Sequence, residues 1–569
     1  METKSEKRIC QNCKKEFTID PEDFNFYEKI KVPPPTFCPS CRLQRRLAWM
    51  VDINLFKRKC DLCKEEEICK YEPKAPFVVY CHKCWWSDNW DSNNYTKDID
   101  FSKPFLEQFQ ELLHQTPLLG LSIDSMTGKL SPYVNHCDNA KNCYMIYYSS
   151  INEDSMYGFY LVKNKEVLNC SMIFNSELCF DGKNNFKNYN AIGCMDTNES
   201  MDSAFLKDCV NCNRCFASVN LRNQSYVFFN EQLTKEEYLK KISEIDLGSF
   251  EEYENQKKKA LEHFKKYPSR AVYENITKDC TGSYLFESKN CKESYEVGYS
   301  EDSKYLMLMK QAQVKDCWDY TDWGHNAELI YDCIVVGENV SNIKFCWYVY
   351  QNSSDMEYSA LCVGCKDCFG CVGLKKKQYC ILNKQYTKEE YFELKEKIIE
   401  HMNNMPYEDK KGLIYKYGEY FPMEFSSYPY NNSFANLFFP KTKEQVIKDG
   451  LSWHEPEIKK YPITISFSDL PDNIKDIADE ITKEVVACST CQKGYKITKQ
   501  EFDLSKKLNV PLSRQCPFCR IGDKIKKWVS QMKQVDRVCS KCGAEFRTHR
   551  KKEESEAVLC KKCYQQEVY

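Results

Sequence analysis

Residues 362–391 read CVGCKDCFGCVGLKKKQYCILNKQYTKEEY, and residues 209–238 read CVNCNRCFASVNLRNQSYVFFNEQLTKEEY, aligned without a gap at an offset of 153. A chain that repeats itself must fold as copies of a unit, which removes most single-core architectures for its 569 residues. The two ends repeat as well. Cys10-x2-Cys13-x24-Cys38-x2-Cys41 is followed by Cys60-x2-Cys63-x17-Cys81-x2-Cys84. At the far end, Cys488-x2-Cys491-x24-Cys516-x2-Cys519 is followed by Cys539-x2-Cys542-x17-Cys560-x2-Cys563. Ile19, Phe24, Val32, Pro33, Pro39 and Arg42 recur as Ile497, Phe502, Val510, Pro511, Pro517 and Arg520.

Four thiolates form the soft tetrahedral shell that zinc prefers, and two residues between ligands let one knuckle present both sulfurs to one ion. The sixteen cysteines of these sets are therefore the expected metal ligands, for about four zinc ions per chain. Between ligands, Asp20 before Pro21 and Thr498 with Glu501 signal helix starts. After the second knuckle, RLQRRLAWM and RIGDKIKKWV read as amphipathic helices, with Leu43, Leu47, Ile521, Ile525 and Trp528 facing inward. A knuckle followed by a helix bearing the last two cysteines suggests a treble-clef or ribbon-like finger.

The expected fold class is mainly β with helices: an internally duplicated β-solenoid-like body flanked by treble-clef or zinc-ribbon modules. Segments such as LNCSMIFNSELCF and NIKFCWYVY have strand composition between polar turns, at irregular spacings of about 10–25 residues, which favour stacked rungs over a sandwich. Each half ends in a helix opened by a capping box, Thr234 with Glu237 and Thr387 with Glu390, which reads as a cap on an open end. The expected divisions are 1–57 and 58–95 as two zinc fingers, 96–129 as a docking helix, and 130–272 and 273–425 as the repeat halves. A linker, 426–480, with one helical run at PDNIKDIADEITKEV, leads to the double zinc module at 481–569.

Hydrophobic content of 42% and 38 Tyr exclude a disordered chain. Without a signal-like leader or 18 consecutive apolar residues, a cytoplasmic protein with no membrane partner is expected. Many CxxC pairs in a long chain favour metal and free thiols over disulfides. The net charge is -2, yet residues 481–569 hold 20 Lys+Arg against 10 Asp+Glu, so a basic end follows an acidic body.

The stretches CQNCKKEFTIDPEDFNFYEKIKVPPPTFCPSCRLQRRLAWM, WWSDNWD, FSKPFLEQF, LPDNIKDIADEITKEVVACSTC and CYQQEVY make the chain similar to a family of uncharacterised zinc-ribbon proteins from uncultured bacteria. The resemblance implies zinc binding and no particular activity.

Other chemistry is weaker. A catalytic zinc keeps an open position, often with His or carboxylate ligands. The chain has eight His and no HExxH, and His82 reads as a spacer inside its knuckle. The run Cys362, Cys365, Cys368, Cys371 resembles the start of an iron–sulfur set. Its copy replaces Cys371 by Ser218 and Cys380 by Val227, which favours compact buried side chains. Arg42, Arg45, Arg46, Lys524, Lys526 and Lys527, with Trp49 and Trp528 beside them, form a nucleic-acid-binding candidate. Asp319, Asp322 and His325 cluster in CWDYTDWGHN, as a carbohydrate-active solenoid would require. No catalytic set converges and no small-molecule substrate is implied. The leading expectation is a non-enzymatic, zinc-binding scaffold that recognises a protein or RNA partner, with nucleic-acid binding through the C-terminal module and a carbohydrate-active solenoid as alternatives.

Overall fold

In the computed structural model, residues 4–51, 53–309, 312–456, 461–553 and 557–568 are described. They form a mixed α+β protein of two units, 1–120 with 272–455 and 121–271 with 456–569. Packing order thus differs from chain order: the N-terminal cysteine sets share a unit with the second repeat half, and the C-terminal sets share one with the first. The helices used below are α1 (Pro21–Lys29), α2 (Pro39–Leu47), α3 (Phe105–Gln115), α4 (Lys235–Ser243), α5 (Phe250–Phe264), α6 (Lys388–Asn404), α7 (Lys499–Leu508) and α8 (Pro517–Gln531).

In unit 2 the repeat half is a parallel β-solenoid whose register advances by twelve residues, with Ser171 opposite Phe159 and Lys183, and Glu177 opposite Lys165 and Tyr189. Its sides are only three residues long. From His136, Asn139 and Asn142 to Asn220 and Asn223, every third residue is left-handed, and each such residue turns the chain through a corner. Asn and Asp tolerate this conformation best among non-glycine residues, because their short polar side chains bond locally. They also ladder between coils: Asn184 Nδ2 donates to Asp196 Oδ1 at 3.2 Å and Asn190 to Asp202 at 2.9 Å.

The residue after each corner points inward, so the core of unit 2 is a period-three series that includes Cys137, Ala140, Cys143, Ile146, Cys170, Ile173, Cys209, Cys212 and Cys215. Corners interrupt the backbone ladder, and the inward polar side chains complete it. Asn164 Nδ2 donates to the Ile173 carbonyl at 2.9 Å, while its Oδ1 accepts the Ser176 N–H at 3.0 Å. Cys170 Sγ lies 3.4 Å from the Leu168 carbonyl and 3.6 Å from that of Cys179. Cysteine suits this interior because it is small, apolar and a weak donor.

Unit 1 has the same construction, with twelve-residue coils toward both ends and longer ones between them. Val314 lies opposite Ala327, and Ala327 opposite Val340, a register of thirteen. The additional residue sits at one corner, where His325–Asn326, Glu338–Asn339 and Gln351–Asn352 are consecutive left-handed pairs. The expected irregular spacing is therefore replaced by coils of nearly constant length. The expected caps form: Thr234 and Thr387 accept the N–H groups of Glu237 and Glu390 at the starts of α4 and α6. At 471–485 the expected helical run is instead two short 3₁₀ turns, because Ile477 and Ala478 are extended between them.

In both units a helix from the cysteine set with the longer loop lies along one column of solenoid corners. In unit 1 that column is Tyr305, Asp319 and Asp332, and in unit 2 it is Tyr157, Asn169 and Asp181. Arg42 Nε donates to Asp319 at 2.6 Å; its duplicate, Arg520, donates to Asn169 at 3.1 Å and to Glu501 at 2.8 Å. Arg46 donates to Asp332 at 2.5 Å, and Lys524, at the equivalent helix position, donates to Asp181 at 2.6 Å. Arg45 bridges Asp332 at 2.6 Å and Glu419 at 2.9 Å. Aromatic contacts reinforce the seam, with Phe26 stacked on Trp318 at 3.9 Å and Trp528 against Phe159 at 5.4 Å. α3 brings Phe105 to Phe369 at 5.1 Å and Phe109 to Phe421 at 4.4 Å within unit 1.

Breaking one partner of a buried ion pair strands the other, at about 3–5 kcal/mol. Asp332→Leu should therefore lower the stability of unit 1 by about that much, and Asp332→Leu with Arg46→Met by less than the sum of the single changes. Urea unfolding of the four members of this cycle measures the coupling, and strict additivity would contradict it.

Candidate metal centres

Each of the four cysteine sets is assembled by the same local geometry. A short antiparallel hairpin, Glu6–Ile9 with Glu16–Ile19 in the first, carries the opening knuckle. The fourth residue after the first cysteine is left-handed in every set, at Lys14, Lys64, Gln492 and Gly543, and its N–H returns to the carbonyl of that cysteine. The chain thereby curls around a point in front of both thiols. In the sets with the longer loops, the third cysteine is the N-cap of a helix, Cys38 for α2 and Cys516 for α8, with proline next at a position that needs no N–H partner. The fourth cysteine then lies in the first turn.

The four thiols of each set, Cys10/Cys13/Cys38/Cys41, Cys60/Cys63/Cys81/Cys84, Cys488/Cys491/Cys516/Cys519 and Cys539/Cys542/Cys560/Cys563, lie within 4.8 Å of one another. Sulfur–sulfur distances are 3.7 Å for Cys13–Cys38, 4.0 Å for Cys63–Cys81, and 3.8 Å for Cys491–Cys516 and Cys542–Cys560. A tetrahedron with metal–sulfur bonds of about 2.3 Å has edges of about 3.8 Å, so the sets fit a thiophilic tetrahedral ion such as zinc. They are all-cysteine and complete, and leave no coordination position for substrate.

The backbone N–H groups converge on the first cysteine of each set, whereas Cys84, later in its set, is pushed up to about 11 by burial and by Cys63. In every set the third cysteine donates its N–H to the sulfur of the first: Cys38 to Cys10 at 3.3 Å, Cys81 to Cys60 at 3.2 Å, Cys516 to Cys488 at 3.2 Å and Cys560 to Cys539 at 3.3 Å. Burial alone would raise these thiols. The N–H groups of Cys81, Cys63 and Leu62 outweigh it and bring Cys60 down to about 7, and the corresponding donors bring Cys539 to about 6.

The basic candidates divide. Arg42, Arg45 and Arg46 are at most 1% exposed and committed to Asp319, Asp332 and Glu419. They cannot meet a phosphate backbone; in α2 Leu47 is buried as expected, but the arginines are buried too and Leu43 is only half-buried. Their carboxylate partners lie at corners far along the sequence, and nothing local in RLQRRLAWM marks them. Lys524 is paired with Asp181, while Lys526 and Lys527 are exposed. Trp49 and Trp528 are buried and unavailable for base stacking.

The other candidates dissolve for geometric reasons. Cys362, Cys365, Cys368 and Cys371 occupy successive inward positions around one coil, all fully buried, and do not gather as the four terminal sets do. They fill the bore. Asp319 and Asp322 stand on successive corners, so their side chains leave from different edges, and His325 is bonded to Glu338 at 2.5 Å. No carboxylate pair of a glycosidase forms from these residues. All the cysteines are free thiols. No helix among the described residues is long and apolar enough to cross a membrane.

No family model and no curated protein matches the chain. Among solved structures, a proposed acetyltransferase from Desulfovibrio desulfuricans G20 is similar at 9% identity, over 42% of this chain and 65% of its own length, with a TM-score of 0.12. The chain thus spans under two thirds of that protein, and the likeness is too slight to support an argument.

Asp322 offers a test of the buried-corner reading. Burial lifts its carboxyl from 3.8 to about 7, against a bond from the Trp323 backbone. The folded state therefore holds this proton more tightly than the unfolded chain. Its contribution to stability is complete below about pH 4 and falls as pH climbs to about 7, by on the order of 4 kcal/mol. Asp322→Asn should flatten that decline and leave the protein more stable than the parent at pH 7, as measured by urea midpoints across this range.

Proposed function

We propose that this protein is a non-enzymatic scaffold in which the four cysteine sets hold structural zinc and the solenoid faces present surface to a protein or RNA partner. The observation that carries the reading is the closed four-sulfur shell repeated four times with the same N–H···S bond. A shell with every position filled by cysteine stabilises a fold and leaves no site for catalysis. Structural zinc at such a shell contributes on the order of 10 kcal/mol, all of it as folding free energy. The ion also fixes the start of α2 and of α8, the helices that deliver Arg42 and Arg520 to the solenoid corners.

Elemental analysis of the purified chain should give four zinc ions, and Cys488→Ser should remove one and loosen α8 from the solenoid of unit 2. A parent protein holding one zinc or none would overturn the reading.

A second reading rests on the exposed lysines of the C-terminal module, Lys496, Lys526 and Lys552, within a stretch that carries twice as many basic as acidic residues. They would meet RNA phosphates without stacking on bases. Each zinc held by four thiolates adds a charge of about -2, which weakens the field. Charge reversal at all three should lower RNA affinity and flatten its dependence on salt, since each phosphate left unneutralised reduces the slope by about 1. RNA affinity unchanged by the triple reversal would exclude this version.

A further inference from the structure

Of the 35 cysteines, four are exposed, and they are the second cysteine of each set, Cys13, Cys63, Cys491 and Cys542. The sets differ in what stands next to that exposed sulfur. Where the loop between knuckles is 17 residues, the third cysteine is half-buried and close: Cys63 to Cys81 is 4.0 Å, and Cys542 to Cys560 is 3.8 Å. In the first set the neighbour of Cys13 at 3.7 Å is Cys38, which is buried, as are Cys10 and Cys41. In the third set Cys516, 3.8 Å from Cys491, is buried, and Cys519 is half-buried. The fold accounts for the difference. Cys38 and Cys516 open α2 and α8, the helices that lie along the solenoid corners. Cys81 and Cys560 instead follow directly on the two-residue strands Val79–Tyr80 and Val558–Leu559.

Oxidation of a thiolate follows its exposure, and an oxidised sulfur with a second thiol in reach goes on to a disulfide. Joining Cys63 to Cys81 needs the two sulfurs to approach by about 2 Å from their present 4.0 Å. We propose that Cys63 with Cys81, and Cys542 with Cys560, are oxidation sites for hydroperoxides, which convert these two sets from metal-holding to disulfide form. The inference rests on the zinc reading above and adds to it a way for two of the four sets to let go.

With hydrogen peroxide as the oxidant, the exposed Cys63 thiolate attacks one peroxide oxygen: the S–O bond forms, the O–O bond breaks and hydroxide leaves. The Cys81 thiolate then attacks the oxidised Cys63 sulfur, forming the S–S bond as the S–O bond breaks and a second hydroxide leaves. Two thiolates have given two electrons, one peroxide has been reduced, and two protons from solvent turn the hydroxides into water. Cys542 and Cys560 follow the same steps. A set with two of its four sulfurs joined has too few thiolates left to close a tetrahedral shell. The parts of the fold next to the change are the strand pairings of Val79–Tyr80 with Leu118–Leu119 and of Val558–Leu559 with Ser269–Arg270, one in each unit. The docking of α2 on Asp319 and of α8 on Asn169 belongs to the other two sets and holds.

The test treats zinc-loaded full-length protein with hydrogen peroxide, follows released zinc with a chromogenic chelator, and maps disulfides over time by mass spectrometry. The ions of the second and fourth sets should leave at least about tenfold faster than that of the first, because exposure sets the rate. The disulfides formed in that phase should be Cys63–Cys81 and Cys542–Cys560, and a thiol reductant with added zinc should reverse both changes. Amide hydrogen exchange at Leu118–Leu119 and Ser269–Arg270 should rise in the same phase while α2 keeps its protection. Loss of all four ions at one rate, release led by the first set, retention of every ion under peroxide, or disulfides that leave out Cys63 and Cys542 would each overturn the assignment. A protein that starts with four zinc ions and keeps them under peroxide refutes the oxidation sites alone, whereas a parent with one zinc or none refutes the zinc reading and the oxidation sites together.

Discussion

A left-handed residue at every third position is the constraint on which the rest of the structure depends. It makes each side of the solenoid three residues long and each coil of unit 2 twelve, and it places one side chain in three inside a narrow bore. The conformation is unfavourable for residues with a Cβ, by roughly 1–2 kcal/mol each. Yet it recurs in coil after coil, at Tyr148, Tyr157 and Phe205 as well as at Asn and Asp. What compensates is stacking. Each corner residue donates its N–H to a carbonyl of the coil below, as Asn175 does to Val162 and Asp181 to Leu168, and inward Asn, Ser and Cys side chains meet the groups left over. No single coil is stable alone, and the array is cooperative for that reason.

The same constraint explains the docking. Corners put consecutive coils in vertical register, so Tyr157, Asn169 and Asp181, twelve residues apart each, form a straight column that one helix can follow. A helix with basic residues at positions one turn apart, Arg42 and Arg46 or Arg520 and Lys524, reads two successive rungs of that column. The modules that carry the cysteine sets are therefore side walls of the solenoids. Their charge is consumed internally in unit 1, where three arginines meet Asp319, Asp332 and Glu419. In unit 2 the equivalent seam carries lysine and glycine where unit 1 has tryptophan, isoleucine and phenylalanine, and Asp181 meets both Lys257 and Lys524.

Much of this was legible from residues alone. The sixteen metal-ligand candidates follow from spacing, because a closed tetrahedral shell demands pairs two residues apart and nothing else in the chain repeats that order. The capping boxes at Thr234 and Thr387 are local, and they form. The period of the body was not read, because a three-residue side matches neither the alternation of strands nor the 3.6-residue turn of helices. Cys137, Ala140, Cys143 and Ile146 carry it plainly once a period of three is sought. The roles of Arg42, Arg45 and Arg46 were hidden for a different reason. Their partners lie 273 or more residues away, and a basic helix looks the same whether its partner is a phosphate or a buried carboxylate.

Neither unit is continuous in sequence, and the second knuckle of each module bears on how such units close. In unit 1, Val79–Tyr80 pairs in parallel with Leu118–Leu119, the strand just before the chain leaves that unit; in unit 2, Val558–Leu559 pairs with Ser269–Arg270, in the same relation to its own exit. Each module thus clamps the point at which its unit would otherwise fray. The C-terminal module does so across residues 272–455, which belong to the other unit. Closing a flexible loop of that length costs about 5 kcal/mol in chain entropy. Metal at two such sites would contribute on the order of 10 kcal/mol each and exceed that cost, whereas a two-residue strand pairing does not. With metal, the crossing of the chain between its two solenoids is compatible with a stable fold. Without it, the seam at Arg520 and Asn169 would have to close the loop by packing alone.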